Sequence, residues 1–137
     1  MLGIGKIKRI HFIGIGGIGM SGMAELLYRT GYSISGSDLR ENDRTKFLDS
    51  IGLNIFIGHH ENNVKDASLI VFSSAVDNSN IEIKKAKKIG IPIIKRAEML
   101  SELVRIKPLS IGVSGTHGKT TTCSLIGSIL HAAKKDP

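Results

Sequence analysis

The sequence predicts an α/β fold: a parallel sheet with helices on both faces, followed by the first strand, glycine loop and helix of a second, truncated unit. Three observations predict it. Short apolar runs rich in β-branched residues alternate with helical segments along the chain, the pattern of strands buried on both faces. A glycine loop at 14–19 follows the first apolar run and opens the first helical segment. A second glycine loop at 115–122 follows the last apolar run and opens the last helical segment.

The elements are expected in this order. A strand at 8–13 leads into a helix at 19–31, where Met20, Met23, Ala24 and Leu27 recur at i, i+3, i+4 and i+7 as one apolar stripe. A strand at 33–36, a helix at 41–51 and a strand at 54–57 follow, then a strand at 68–72 and a helix at 80–89. A strand at 92–95 and a helix at 96–105 complete the first sheet. Gly31 and Gly90 come just after helical runs and fit C-terminal caps, which need a left-handed residue. Proline disfavours helix in the residue before it, so Ile106-Lys107-Pro108 marks a boundary. Domains are therefore expected at 1–107 and 108–137, the second opening with a strand at 109–113 and a helix at 120–134. In that helix Ile126, Ile129, Leu130 and Ala133 form an apolar stripe, and Cys123 falls in phase with it as a packing residue.

Composition narrows the function. The chain has 137 residues, 41% hydrophobic and 23% charged, which suits one globular domain and excludes general disorder. Its single cysteine excludes a disulfide framework and a multi-cysteine metal site. The first apolar stretch is broken by glycines and a histidine, which excludes a membrane span there, and the first ten residues lack the apolar core of a signal peptide. A cytoplasmic location is expected. The net charge of +7 favours anionic partners. The densest basic run, Lys84 to Lys88, has helical phase and reads as a solvated face. No aromatic residues interleave with it, so neither nucleic acid nor a membrane is expected as partner.

Gly14, Gly16 and Gly19 satisfy Gly-x-Gly-x-x-Gly between a strand and a helix. The first glycine allows a tight turn, the second a close approach of backbone to a pyrophosphate, and the third close helix–strand packing. The helix N-terminus adds free N–H groups and a positive dipole end. Asp38 follows at the end of the second strand, where an acid reaches a ribose or base. This is a Rossmann-like arrangement, and NAD, FAD and nucleotide-sugars all carry the pyrophosphate it would hold.

Gly115-Thr116-His117-Gly118-Lys119-Thr120-Thr121-Thr122 has the layout of a P-loop. Backbone N–H groups cradle phosphates, the lysine reaches the terminal phosphate oxygens, and the first hydroxyl ligates Mg²⁺. The loop is a variant, since Val113 stands where the strict pattern has its first glycine. An oxidoreductase uses the first loop and has no need of the second. A protein that spends ATP on a nucleotide-linked substrate needs both, which points to a kinase or an ATP-dependent ligase.

Six segments occur in order: HFIGIGGIGMSGMAELL at 11–27, GSDL at 36–39, GHH at 58–60, VFSSAV at 71–76, IPIIKRAEML at 91–100 and GTHGKTTT at 115–122. Together they resemble the Mur ligases of peptidoglycan synthesis over nearly the whole chain. The resemblance is to the branch whose amino acid is L-alanine, with the branch that attaches a recycled tripeptide as the alternative. It implies that Gly16, Gly17, Ile18 and Gly19 hold the pyrophosphate of UDP-N-acetylmuramate. Asp38 and His59 would lie near the uridine, and Ser73, Ser74 and Ala75 would line the same crevice. Gly115, Thr116, His117, Gly118, Lys119, Thr120 and Thr121 would bind ATP, with Lys119 and Thr120 in catalytic roles and Thr120 on Mg²⁺. The family phosphorylates the muramoyl carboxylate to an acyl phosphate, which the amine of L-alanine attacks.

The resemblance further implies that the chain is the N-terminal portion of such an enzyme, without the L-alanine site and inactive alone. A nucleotide-sensing Rossmann module is the other alternative, and GTHGKTTT speaks against it. Plainer readings hold elsewhere. His11 is expected in the core, and His60 and His131 in solvent. His117 would shape its loop, and Arg96 and Glu98 would open a helix, with Glu98 favourable to its dipole.

Overall fold

The computed structural model describes residues 7–107, 109–135 and 137. The expected start of the first domain and Pro108 of the expected boundary lie outside the described residues. The chain divides into two compact units, with the division between Ile106 and Lys107.

The first unit runs β1 (Arg9–Ile13), α1 (Ile18–Arg29), β2 (Ser33–Asp38), α2 (Asp43–Ser50), β3 (Asn54–Ile57), a 3₁₀ turn (Glu61–Val64), β4 (Leu69–Phe72), α3 (Ile81–Lys88), β5 (Ile93–Lys95) and α4 (Arg96–Ile106). The sheet order is β3-β2-β1-β4-β5, and every pairing is parallel. The α/β reading holds, and the five strands expected before residue 96 all form. The 3₁₀ turn has no counterpart in the sequence reading, and β2 runs on to Asp38.

Alternation along the strands sorts side chains to two faces. Ile10 and Phe12 of β1 point to a core with Met20, Met23, Ala24 and Leu27 of α1, Leu48 of α2 and Met99 and Leu103 of α4. Ile13 and Ile70 point the other way, against Val64 of the 3₁₀ turn and Ile83 and Ala86 of α3. Leu27 is 1% exposed. Truncating such a residue to alanine costs about 2–5 kcal/mol. His11 lies on the α3 side and is fully buried, as expected of a core histidine.

Local chemistry sets the helix ends. Asn42 caps α2 in a capping box with Thr45, and Asn80 caps α3. Gly31, at φ +98°, closes α1: its N–H bonds Tyr28 O and that of Tyr32 bonds Leu27 O. Gly90, at φ +76°, closes α3 in the same way. The lysines at 84, 87 and 88 are exposed, while Lys85 pairs with Glu61 at 3.3 Å.

The second unit holds α5 (Lys119–Ala132), one residue earlier in its start than expected. Two expectations fail here. Residues 109–113 form no strand, because no ladder partner lies beside them among the described residues. An isolated strand leaves its N–H and C=O groups unpaired and cannot persist as one. Cys123 is exposed rather than packed, and no residue of α5 is buried. The stripe of Ile126, Ile129 and Leu130 lies on a helix that has no sheet in its own unit to cover it.

Candidate nucleotide-binding sites

Four chain segments converge at the C-terminal edge of the first sheet. From β1 the chain goes on to β2 and β3 on one side, while β4 and β5 lie on the other. The strand order thus reverses between β1 and β4, the position at which open parallel sheets bind ligands. The Gly14–Gly17 turn leaves β1 there. Its first two amides, on Gly14 and Ile15, both bond Ser37 O, at 2.8 and 3.0 Å. Ser73, just after β4, bonds Ile13 O through its N–H at 3.2 Å. Gly58, just after β3, bonds Asp38 O at 2.7 Å. Gly16, Asp38, His59 and Ser73 therefore share one edge, with Ser74 and Ala75 exposed beside it.

Asp38 is turned toward the loop. Its Oδ2 accepts from the Gly16 N–H at 2.8 Å, and Asn42 Nδ2 donates to Gly16 O at 3.3 Å. A Cβ on Gly16 would stand 2.6 Å from Asn42 Nδ2 and 2.9 Å from Asp38 Oδ2. Gly16 itself is buried. A side chain there would have to displace Asn42 and Asp38 from their hydrogen bonds to Gly16, so protein packing favours glycine apart from any approach by a phosphate.

The helix behind this loop is left open. Gly17 is the N-cap of α1 and makes no side-chain cap, unlike Asn42 and Asn80. Its first-turn amides thus keep no side-chain partner and face the loop. Ile18 is 77% exposed beside it. Arg96, at the start of α4, reaches over the same turn: a Cβ on Gly19 would meet its guanidinium nitrogen at 2.9 Å. Arg96 is a cation aimed at the glycine turn, whereas the sequence reading placed it only at the start of a helix. Glu98 instead accepts from the Lys95 N–H at 2.7 Å and so fixes the start of α4.

Beneath this edge lies a buried polar cluster, also missed. Glu82 of α3 has no exposed surface. Its Oε2 receives Ser37 Oγ at 2.6 Å and lies 3.5 Å from His11 Nε2 and 3.4 Å from His59 Nδ1. Its Oε1 receives Asn63 Nδ2 at 2.6 Å and the His60 N–H at 3.2 Å. Burial pushes its carboxyl up, but the hydrogen bonds from His11, Ser37 and Asn63 outweigh that and hold it at about 2. A signal existed in the sequence. Glu82 and Ala86 are one helical turn apart, next to Ile83, so Glu82 sits on the inward stripe of α3. His60 is exposed as expected, and its Nδ1 accepts from the Asn62 N–H.

In the second unit, Gly118 is the N-cap of α5 at φ +75°, again without a side-chain cap. Lys119 Nζ donates to Gly115 O at 2.6 Å, closing the loop over itself. His117 Nδ1 lies 3.1 Å from Thr116 Oγ1, within the turn it was expected to shape. Thr120 and Thr121 stand exposed in the first turn. An ammonium, two hydroxyls and uncapped amides form a donor set that fits a polyphosphate. Among the described residues no group of three His, Cys, Asp or Glu could hold a metal ion.

A separate groove of about 300 Å³ is lined by Arg9, Ser33, Asn54 and Asp66, among others. It lies toward the strand starts, contains no residue of the glycine loop, and is not where an open parallel sheet presents ligands. No helix among the described residues is long and apolar enough to cross a membrane.

The UDP-N-acetylmuramate–L-alanine ligase of Sulfurihydrogenibium sp. is 55% identical over 133 residues, which is 97% of this chain and 29% of that protein. The chain thus spans under a third of the length of that curated relative. The crystal structure of UDP-N-acetylmuramate–alanine ligase from Thermotoga maritima superposes with a TM-score of 0.89 at 38% identity, covering 94% of this chain and 30% of that one. The ligase for UDP-N-acetylmuramate and L-alanyl-γ-D-glutamyl-meso-diaminopimelate from Neisseria meningitides gives 0.83 at 31% identity, covering 93% and 40%. The model of the Mur ligase family, catalytic domain, matches residues 9–107, and with these relatives it establishes that the chain belongs to the Mur ligase family.

Proposed function

We propose that the chain is the UDP-sugar-binding portion of an ATP-dependent ligase that joins L-alanine to UDP-N-acetylmuramate in peptidoglycan synthesis. The observation that carries this reading is the meeting of the Gly14–Gly19 turn, the uncapped α1 N-terminus and the Arg96 guanidinium at the point where the strand order reverses. A diphosphate needs close backbone, free amides and a cation, and all three stand there. In this reading Gly16, Gly17, Ile18 and Gly19 face the pyrophosphate, with Arg96 beside it. Asp38 holds the loop, and His59, Ser73, Ser74 and Ala75 border the uridine and sugar.

The second loop takes ATP. Gly115 to Gly118 and Thr121 would surround the phosphates, Lys119, now on Gly115 O, would be the cation available to a phosphate oxygen, and Thr120 would supply an oxygen to Mg²⁺. When bound, ATP would supply the phosphoryl group that activates the muramoyl carboxylate as an acyl phosphate, leaving as ADP, and the metal would neutralise charge on its phosphates. The residues of this chain position and neutralise charge, which is most of what phosphoryl transfer asks of a protein. L-Alanine is favoured over a tripeptide as the acceptor because, among solved structures, the likeness is 38% to a ligase named for alanine and 31% to one named for the tripeptide. A cytoplasmic location follows from where nucleotide substrates and ATP occur.

Titration calorimetry of the chain with UDP-N-acetylmuramate, UDP and NAD tests the reading. UDP-N-acetylmuramate should bind most tightly. Tighter binding of NAD would overturn it in favour of an oxidoreductase or sensor module.

A further inference from the structure

Glu82 touches no expected ligand group, yet its hydrogen bonds determine how a crevice residue carries its proton. Ser37 Oγ lies 2.6 Å from Glu82 Oε2, and a carboxylate only accepts, so Ser37 spends its single proton there. Ser37 Oγ is also 3.1 Å from His59 Nδ1. With its proton already given, that oxygen can only accept, so Nδ1 must be the ring nitrogen that carries hydrogen. The 3.4 Å approach of the same Nδ1 to Glu82 Oε2 has the same requirement. Among the described residues His59 Nε2 has no hydrogen-bond partner, and no buried side-chain nitrogen lacks one. Nε2 is therefore the nitrogen at the open surface of a side chain that is only 13% exposed.

We propose that Glu82 is a positioning residue for the crevice: through Ser37 it holds a hydrogen of His59 on Nδ1, so that Nε2 of the neutral ring meets the ligand as an acceptor. The ligand group it recognises is then a donor, an imide N–H or a hydroxyl, as a uridine carries. This rests on the reading of the crevice as a UDP-sugar site. The other contacts of Glu82 keep it in place. His11 Nε2 approaches it from β1 at 3.5 Å, and Asn63 and the His60 amide hold its second oxygen. The carboxyl held at about 2 remains ionised, and so acceptor-only, at neutral pH.

The Glu82→Gln variant reverses the chain of donors. An amide N–H at that position donates to Ser37, Ser37 then donates to His59 Nδ1, and the ring proton moves to Nε2. The test has two arms. Long-range ¹H–¹⁵N spectra of the ligand-free protein, with His59 assigned by its loss in His59→Gln, should show the Nδ1–H form in the wild type and a shift toward Nε2–H in Glu82→Gln. UDP affinity should fall roughly tenfold in Glu82→Gln, the scale of one lost buried hydrogen bond. In the His59→Gln background, adding Glu82→Gln should cost nothing further.

A wild-type His59 protonated on Nε2 overturns the proposal, and that spectrum needs no variant to fold. An equal loss of affinity from Glu82→Gln with and without His59 also overturns it, since Glu82 would then be acting as general support. If the wild type shows the Nδ1–H form but binds no UDP, the UDP-sugar reading fails and the ligand half of this proposal fails with it, while the proton placement stands.

Discussion

Asp38 Oδ2 receives the Gly16 N–H at 2.8 Å, which ties the end of β2 to the turn that leaves β1. The acid that sequence patterns assign to a ribose is here a clamp on the loop itself. Asp38→Ala should leave the Gly16 amide without its partner and cost about 1–3 kcal/mol, at the low end because the bond is only partly buried. It should also weaken UDP binding, because the loop loses its fixed shape. Paired thermal unfolding and UDP titration would measure both. Unchanged stability with weakened binding would instead return Asp38 to direct ligand contact.

Gly16→Ala tests the opposite side of the same relationship. The new methyl would lie 2.6 Å from Asn42 Nδ2 and 3.1 Å from Thr45 Cγ2, inside the capping box of α2. Overpacking of this kind costs about 1–3 kcal/mol. The variant should therefore melt earlier even without ligand. A fully stable Gly16→Ala that has lost only UDP binding would mean that phosphate approach alone requires the glycine.

These two residues show what the sequence disclosed and what it did not. The motif identified the turn and placed Asp38 at the edge, because strand, glycine spacing and helix are local signals. That Asp38 bonds Gly16 depends on the β1–β2 pairing, in which Ile13 lies opposite Ser37. The same pairing puts His11 beside Ser35 and brings Ser37 over Glu82, five elements later in the chain. The place of Arg96 over the glycine turn was not legible in the sequence because Gly19 lies on a different βα unit. The strand expected at 109–113 had a strand-like composition, but composition cannot supply the neighbouring strand that a ladder requires.

Arg96→Ala should weaken UDP binding by about tenfold, the loss of one charge-assisted contact, and should flatten the dependence of affinity on salt. Arg96 is exposed, so folding should be unaffected. Titrations at low and high ionic strength compare the two proteins, and equal affinities at low salt would remove Arg96 from the site.

Acid should unfold the first unit through Glu82. Its carboxyl lies at about 2 in the folded chain against 4.5 as the ordinary value. A depressed folded value means that the unfolded chain takes up the proton first. The contribution is complete above about pH 5 and is lost as pH falls from 4.5 toward 2. It amounts to something on the order of 3 kcal/mol. Urea midpoints measured from pH 6 down to 2.5 should fall steeply for the wild type and more gently for Glu82→Gln. Parallel slopes in the two proteins would exclude Glu82 as the group responsible.

A P-loop positions phosphates when its strand is held in a sheet and its metal has a protein partner. Here 109–113 forms no strand, and α5 buries none of its residues. Leu109 is 90% exposed and Ile129 67%. Apolar burial returns about 25 cal/mol per Å², while ordering costs about 1–2 kcal/mol for each residue. A helix of 14 residues with so little burial rests mainly on its own hydrogen bonds. Its amides, and those of 109–118, should exchange within seconds to minutes, while those of β1 and β4, which lie inside the sheet, should persist to global unfolding. The chain should bind UDP-N-acetylmuramate yet hydrolyse no ATP. Lys119→Ala should leave that binding intact here, and in a ligase spanning the relatives' full length it should abolish turnover alone. Slow exchange across 119–132 in a demonstrated monomer, ATP turnover by this chain, or weakened UDP-N-acetylmuramate binding in Lys119→Ala would each show that the two loops are not the independent sites described.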